Sequence, residues 1–289
     1  MTGVPPGPNA ISTRAAARHA SIHGALWRRP RSRRLVQAVR VARTLSPSAR
    51  FVLDVLRDDP ARRYVWRHSG LVIYLRPRLD LQDARELLSK RVYELPADVR
   101  AALEGSAGRL TVLDLGANIG LFALDSIRML GQGTRVVAVE ADPSNAELLR
   151  MNVSVNGYGG QVSVHAAAAG REAGTVRFAA GRGDSSRVVD RDDPYGSVEV
   201  PMVDAFTLAS GCHLIKMDIE GSEWELLRDP RMGQLDAKAL VVEWHADGFG
   251  TGDPAAAVVQ LLRRAGFCTW EAASRSTAGM VWGWREDVR

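Results

Sequence analysis

The chain is short of cysteine, of lysine, of long apolar runs and, at its start, of acid. Each shortage excludes something. Two cysteines, Cys212 and Cys268, occur in 289 residues, so no disulfide framework can be built. Both lie in apolar runs; two buried free thiols in a reducing cytoplasm are the expectation, and one disulfide is the alternative. No window approaches the roughly 18 consecutive apolar residues of a membrane helix, so no membrane partner is expected. Residues 1–50 hold ten arginines and no Asp or Glu. Because the whole chain carries +5, the other 239 residues carry −5, and the basic character belongs to the leader. That leader could attract RNA, an acidic partner or anionic lipid, or simply reflect an arginine-rich composition. Its "SRRLV" (Ser32–Val36) is similar to a twin-arginine export signal. Arg40 and Arg43 then fall where an uncharged apolar stretch should follow, so export is rejected and a cytoplasmic location expected.

What is present suits one sizeable core, with 46% hydrophobic and 25% charged residues. Residues 1–10 read as a flexible terminus, Thr13–Leu45 as basic helices, and Phe51–Asp58 as a further helix. "YVWRHSGLVIYLRP" reads as two short strands about a Ser69-Gly70 turn. Leu81, Ala84, Leu87 and Leu88 have helical spacing, predicting a helix over Leu79–Tyr93 capped by Asp80. From Arg109 the rhythm changes: near-continuous apolar strands alternate with helical segments, as in a doubly wound, mainly parallel sheet covered on both faces. "FCTWEA" and "GMVWGWRE" predict a closing antiparallel pair. "RFAAGRGDSSRVVDRDDPYGSVEV" reads as an irregular, mobile insertion.

Ligands of such sheets bind at the carboxyl ends of the strands. The first strong strand ends in "VLDLGANIG". Gly116 and Gly120 permit a tight turn and a close approach of ligand to backbone, and the turn opens a helix whose free N–H groups favour an anionic or electron-rich group. A dinucleotide fold prefers glycine where Asn118 stands. Asp114, if it faced the site, would repel pyrophosphate but suit a cationic sulfonium. This favours S-adenosyl-L-methionine over NAD. Glu140 ends the next strand, about twenty residues on, where a carboxylate can take both hydroxyls of a ribose. Asp142, before Pro143, suits an N-cap as well as a ligand contact.

The second constellation is "LIKMDIEGSEWELL". Only three lysines, Lys90, Lys216 and Lys238, stand among 38 basic residues, and Lys216 lies mid-strand in an apolar run. Strand alternation puts Lys216 and Asp218 on one face, so Asp218 or Glu220 is the expected partner of a buried ammonium. The pair either orders the strand end or shapes a methyl-transfer pocket. Glu220 also suits a helix start; Glu223 reads as helix surface. In "VVEWH", Glu243 and His245 share a face at the same sheet edge, and His245, with a pKa near neutrality, is the expected base. Asp218, Glu220, Glu243 and His245 could hold a divalent metal. Their spacing matches no metal signature, so no metal is assigned and that alternative is not favoured.

"VLDLGANIGLFAL", "VVAVEADPSNAELLRMNVSVNG", "LIKMDIEGSEWELL", "VEWH" and "IYLRPRLDLQDARELLSKRVY" together resemble the FkbM-type S-adenosylmethionine-dependent methyltransferases. The resemblance spans roughly Leu71 to Gly266. It implies a class I (Rossmann-like) fold and methyl transfer, commonly to oxygen of a sugar or natural product. It places Asp114, Gly116, Ala117, Asn118 and Gly120 in the cofactor turn and Glu140, Ala141 and Asp142 at the ribose. It further implies that His165–Ala167 lie at the adenine-side wall, and Tyr93 at the rim closing over the cofactor. Lys216, Asp218, Glu220 and His245 are the catalytic candidates, with Asp218 also beside the cofactor.

The domain expectation is an arginine-rich leader (1–50), a cap or substrate-side segment (51–108) and a cofactor-binding catalytic domain (109–289). The acceptor expected is a small-molecule hydroxyl. The alternatives are N-methylation of a small molecule or peptide, an RNA methyltransferase using the leader, and a non-catalytic binding module. Base amino-group methylation lacks its Asn/Asp-Pro-Pro-aromatic signature, to which "DDPYG" (Asp192–Gly196) is only a near miss, so nucleic acid is the weaker partner. The Gly181–Ser197 loop and the segment before Arg109 are expected to wall the acceptor site.

Overall fold

The architecture divides where the sequence rhythm does. The computed structural model describes residues 31–286 except 59, 105–108, 181–186 and 189–196. Most of the arginine-rich leader and nearly all of the Gly181–Ser197 loop therefore lie outside the described residues. Ahead of Arg109, helices α1 (Arg31–Ala42) and α2 (Ser48–Arg57) accompany a small antiparallel sheet of β1 (Leu45–Ser46), β2 (Arg62–Trp66) and β3 (Val72–Leu75). The turn between β2 and β3 is the one expected, with Gly70 at φ +77°. The helix predicted over Leu79–Tyr93 is shorter and uneven. α3 (Leu81–Ala84) passes into a π-helical segment, Arg85–Lys90, which Arg91 ends in a left-handed conformation. Asp80 does not cap it by its side chain. Its buried carboxylate instead accepts from the Arg76 backbone N–H at 2.6 Å and from the Arg76 guanidinium. α4 (Ala97–Glu104) closes this part.

After Arg109, strands β4 (Thr111–Leu115), β5 (Arg135–Glu140) and β6 (Val162–Ala166) alternate with helices α5 (Leu121–Leu130) and α6 (Pro143–Val155). Asp142 caps α6 by accepting from the Ser144 and Asn145 amides, with Pro143 opening the helix. β7 (Ala168–Gly170), β8 (Gly174–Ala179), β9 (Arg187–Val188) and β10 (Val198–Asp204) form a second sheet ordered β7-β10-β8-β9. The supposed irregular insertion is thus framed by strands: Val198–Met202 pairs antiparallel with Gly174–Phe178. Period-two alternation in "SVEVPMV" was its sequence signal. α7 (Ala205–Ala209), β11 (Leu214–Met217), α8 (Glu223–Leu227), β12 (Ala239–His245), α9 (Pro254–Arg264), β13 (Cys268–Ser274) and β14 (Ala278–Trp284) complete the chain.

The main sheet runs β13-β14-β12-β11-β4-β5-β6. β12, β11, β4, β5 and β6 are parallel, and β14 is antiparallel to both of its neighbours, β12 and β13. Alternation divides the core between two faces. Val112 and Leu214 join the cluster that takes in α5, α6 and the N-terminal elements, while Leu113 and Ile215 join the one under α7, α8 and α9. The N-terminal sheet is also held by side chains of α6. Asn152 accepts from the Tyr74 N–H (2.6 Å) and donates to the Tyr74 and Ile119 carbonyls. One helical turn on, Asn156 exchanges the same pair of bonds with Val72. Both cysteines are free thiols, Cys212 buried as expected and Cys268 only partly so.

Candidate active site

The order of strands reverses direction at β4 and β11, and an open cavity, about 620 Å³ with the solvent at its mouth included, lies at their carboxyl ends. The turn after β4 is drawn tight because the Gly116 and Ala117 amides both donate to the Val139 carbonyl. Gly116 has φ +77°, and a Cβ on it would lie 1.7 Å from the Asp218 carbonyl oxygen, so only glycine fits. Asn118 adopts a left-handed conformation (φ +49°), and its side-chain amide donates to Asp83 at 3.0 Å. Its Oδ1 is buried with no hydrogen-bond partner among the described residues, although Asn118 lines the cavity. An acceptor left without a donor is costly, and this one suits a ligand N–H group.

Glu140 reaches the same cavity. Its carboxylate accepts from the Asn118 N–H (2.7 Å), the Asp142 N–H (2.8 Å) and the Asn145 side-chain amide (3.3 Å). Oε1 takes the Asp142 and Asn145 donors and Oε2 the Asn118 N–H, so Oε2 keeps a lone pair for a further donor. Burial pushes its pKa up to about 7, against the opposing pull of those donors. Of the other residues expected at a cofactor, Ala141, Ala167 and Asp218 line the cavity with Gly116, Asn118, Glu140 and the catalytic candidate Glu220. Asp114, Ala117, Gly120, Asp142 and Tyr93 do not. Gly120 opens α5 against Leu149, and Asp142 is spent on its cap. His165 is also off the wall, which Ala167, Ala168 and Ala169 form with Phe178 and Val188 of the second sheet. Phe178 and Val188 carry little sequence signal, because the glycine, aspartate and serine around their strands give the segment a loop composition.

Asp114 requires a correction. It is fully buried behind the turn, where Lys216 Nζ stands 3.4 Å away. Its charge meets an internal lysine instead of the cavity, because β4 and β11 pair in a register that sets Lys216 against Asp114. Lys216 also approaches Asp218 at 3.3 Å and donates to the Gly116 carbonyl at 2.9 Å. Burial works to lower its pKa, but Asp218, Asp114 and Glu243 outweigh it and hold the ammonium charged. Asp218, not Glu220, is thus the lysine's partner at the strand end. Tyr93 reaches the same cluster from the N-terminal part. Its hydroxyl donates to Glu243 at 2.9 Å, its ring packs edge-on to Phe122, and its OH is 3.4 Å from Asp218. Burial, then the charges of Asp218 and Glu86, raises Glu243 to about 8.

His245 departs from its expected state. Its Nδ1 is 3.2 Å from Glu223 and its Nε2 3.6 Å from Glu220. Burial favours the neutral ring, but Glu223, Glu220 and Asp218 together raise its pKa to about 11. A protonated imidazole has no lone pair to take a proton, so the near-neutral pKa that recommended His245 as a base does not apply. Glu223, read as helix surface, is in fact fully buried. It accepts from the Ile219 and Gly221 amides, both at 2.8 Å, and so fastens the Asp218–Ser222 turn to His245. One ligand atom each from Asp218, Glu220 and His245 lies within 4.8 Å of the others, close enough to share a divalent cation.

A parallel sheet with one reversed strand inside its edge, a glycine turn at the switch point and an acid ending the next strand define a Rossmann-like methyltransferase of class I. The profile of the Methyltransferase FkbM domain matches residues 114–268. The chain belongs to that family. Solved structures with a similar fold include methyltransferase FkbM from Methylobacillus flagellatus KT (17% identity, 72% of this chain, 53% of that one, TM-score 0.41). An O-methyltransferase family protein from Burkholderia thailandensis is similar over 74% of this chain and 61% of its own (14% identity, TM-score 0.40). M. jannaschii TYW2 in complex with AdoMet is similar over 78% and 87% (11% identity, TM-score 0.38). This chain spans about half the length of the FkbM structure. No curated protein sequence matches it significantly. Among the described residues no helix is long and apolar enough to cross a membrane.

Proposed function

We propose that this protein transfers a methyl group from S-adenosylmethionine to a hydroxyl of a sugar or natural-product small molecule. The observation that carries the reading is the Glu140 carboxylate in the cavity beside the bare Gly116 backbone. When bound, the cofactor supplies an electrophilic methyl on sulfonium. Glu140 Oε2 would accept a ribose hydroxyl, and Asn118 Oδ1, which has no partner among the described residues, an N–H of its amino acid end or base. Ala167 and Phe178 would flank the adenine. Asp218, which lines the cavity and touches Lys216 and the Tyr93 hydroxyl, is the carboxylate placed to orient the acceptor hydroxyl and receive its hydrogen bond. His245 serves as a fixed cation that positions Glu220. The reading is tested by calorimetry with S-adenosylhomocysteine and by turnover on hydroxyl-bearing acceptors. Absence of nucleoside binding, or binding of NAD in its place, refutes it.

A second reading, metal-assisted transfer, is favoured by the convergence of Asp218, Glu220 and His245. Glu223 at Nδ1 would leave Nε2 for the ion. Direct titration with Mg²⁺ decides it; a wild-type isotherm that Glu220→Gln abolishes supports the metal.

A further inference from the structure

Half of the large apolar side chains exposed among the described residues sit on just two helices: Leu35, Val36 and Val39 on α1, and Leu53 and Leu56 on α2. Val36 is 51% and Leu56 60% exposed. On each helix they share the outward face with exposed arginines, Arg33, Arg40 and Arg43 on or just after α1, and Arg50 and Arg57 on α2. The opposite faces, with Ala38, Val41, Phe51 and Val55, are buried in the core. The first acidic residue in the chain is Asp54. It is turned inward to the Tyr64 hydroxyl with Arg50 beside it at 3.6 Å, and the next, Asp58, is answered by Arg78 at 2.8 Å, which leaves Arg33, Arg40, Arg43 and Arg57 as the main cations of the face. The outward surface is therefore apolar and cationic together.

We infer that α1 and α2 form a docking surface for an anionic lipid bilayer, which the protein binds peripherally through this face. An anionic membrane meets both features at once: its headgroups attract the arginines and its acyl boundary takes Leu and Val side chains. Other occupants meet only one. A second copy of this chain would bring arginine against arginine. Residues 1–30 add four more arginines and no acid, so they too are like-charged. RNA would satisfy the arginines, but single-stranded bases stack on aromatic side chains, and the exposed apolar residues here are all aliphatic. The −5 carried by the chain beyond residue 50 disfavours other faces and orients the molecule with its N-terminal helices toward the membrane. This departs from the expectation of no membrane partner. It requires no spanning helix and does not depend on the methyl-transfer reading.

The test is co-sedimentation of the full chain with vesicles of phosphatidylcholine, with and without phosphatidylserine. Partitioning is expected to be about tenfold stronger with the anionic lipid and to fall as salt rises. Val36→Ser with Leu56→Ser should weaken it severalfold at unchanged thermal stability, as should Arg40→Gln with Arg43→Gln. Equal partitioning to both vesicles overturns the inference, as does partitioning that neither pair of substitutions alters. So does a concentration-dependent dimer lost in Val36→Ser/Leu56→Ser, or RNA binding without vesicle binding.

Discussion

At the scale of single residues the site is governed by which charges are answered internally. On the proposed reading Glu140, raised to about 7, accepts a ribose hydroxyl most strongly when ionised. Affinity for S-adenosylhomocysteine should therefore rise with pH up to about 7 and level off above it. Glu140→Gln should remove that slope, and Glu140→Ala should weaken binding about tenfold or more, as loss of charge-assisted hydrogen bonds implies; calorimetry across pH reads both. His245 has a folded pKa raised from 6.5 to about 11. A raised pKa contributes stability that is complete below the unfolded value and is lost as pH climbs toward the folded one. Wild type should thus lose stability relative to His245→Gln between about pH 6.5 and 11, measured by urea unfolding at several pH values. Gly116→Ala should cost about 2–4 kcal/mol from clash and left-handed strain. The position of Glu140 at the cavity was legible because spacing along one strand-turn-helix unit is a local property. Lys216 facing Asp218 was legible from alternation. Asp114 was not, since its lysine arrives from a strand a hundred residues away and only sheet order makes them neighbours.

At the scale of elements, the alternating strands and helices after Arg109 were legible because apolar periodicity is set locally. The π-helical Arg85–Lys90 was not, because the same leucine spacing describes an α-helix. Glu223 was misread for a related reason. The turn before α8 puts Glu220 (φ +54°) and Gly221 (φ +98°) in left-handed conformations, which rolls the helix start inward. The second sheet went unread because glycine, aspartate and serine between its strands resemble loop composition. The junction of α6 with β3 gives an element-scale prediction. Asn152→Ala would strand the Tyr74 amide and two carbonyls and should cost about 1–3 kcal/mol. Hydrogen exchange should accelerate at Tyr74 more than in β4, where the ladder is intact.

At the scale of the molecule, the elements before Arg109 share one hydrophobic cluster with α5 and α6, and Tyr93 carries a hydroxyl from that part to the tips of β11 and β12. A cap segment divided from a catalytic domain predicts two thermal transitions; a shared core predicts one. We expect a single transition, with calorimetric and van't Hoff enthalpies in agreement. Tyr93→Phe should keep the transition single but lower it by a few degrees, since it leaves the buried Glu243 without a donor and removes no packing, and it should change kcat more than KM.

Asn152 in α6 and Asn156 just past its end carry a consequence for how relatives of this chain can diverge. Asn152 and Asn156 hold β3 only because they are one turn apart on the same side. A helix advances about 100° per residue. Inserting or deleting one residue between Pro143 and Asn152 would swing both amides off the strand while leaving the apolar composition almost unaltered. Length variation within α6 should therefore be accompanied by loss or remodelling of the first hundred residues, a coupling visible to gap placement rather than to residue identity.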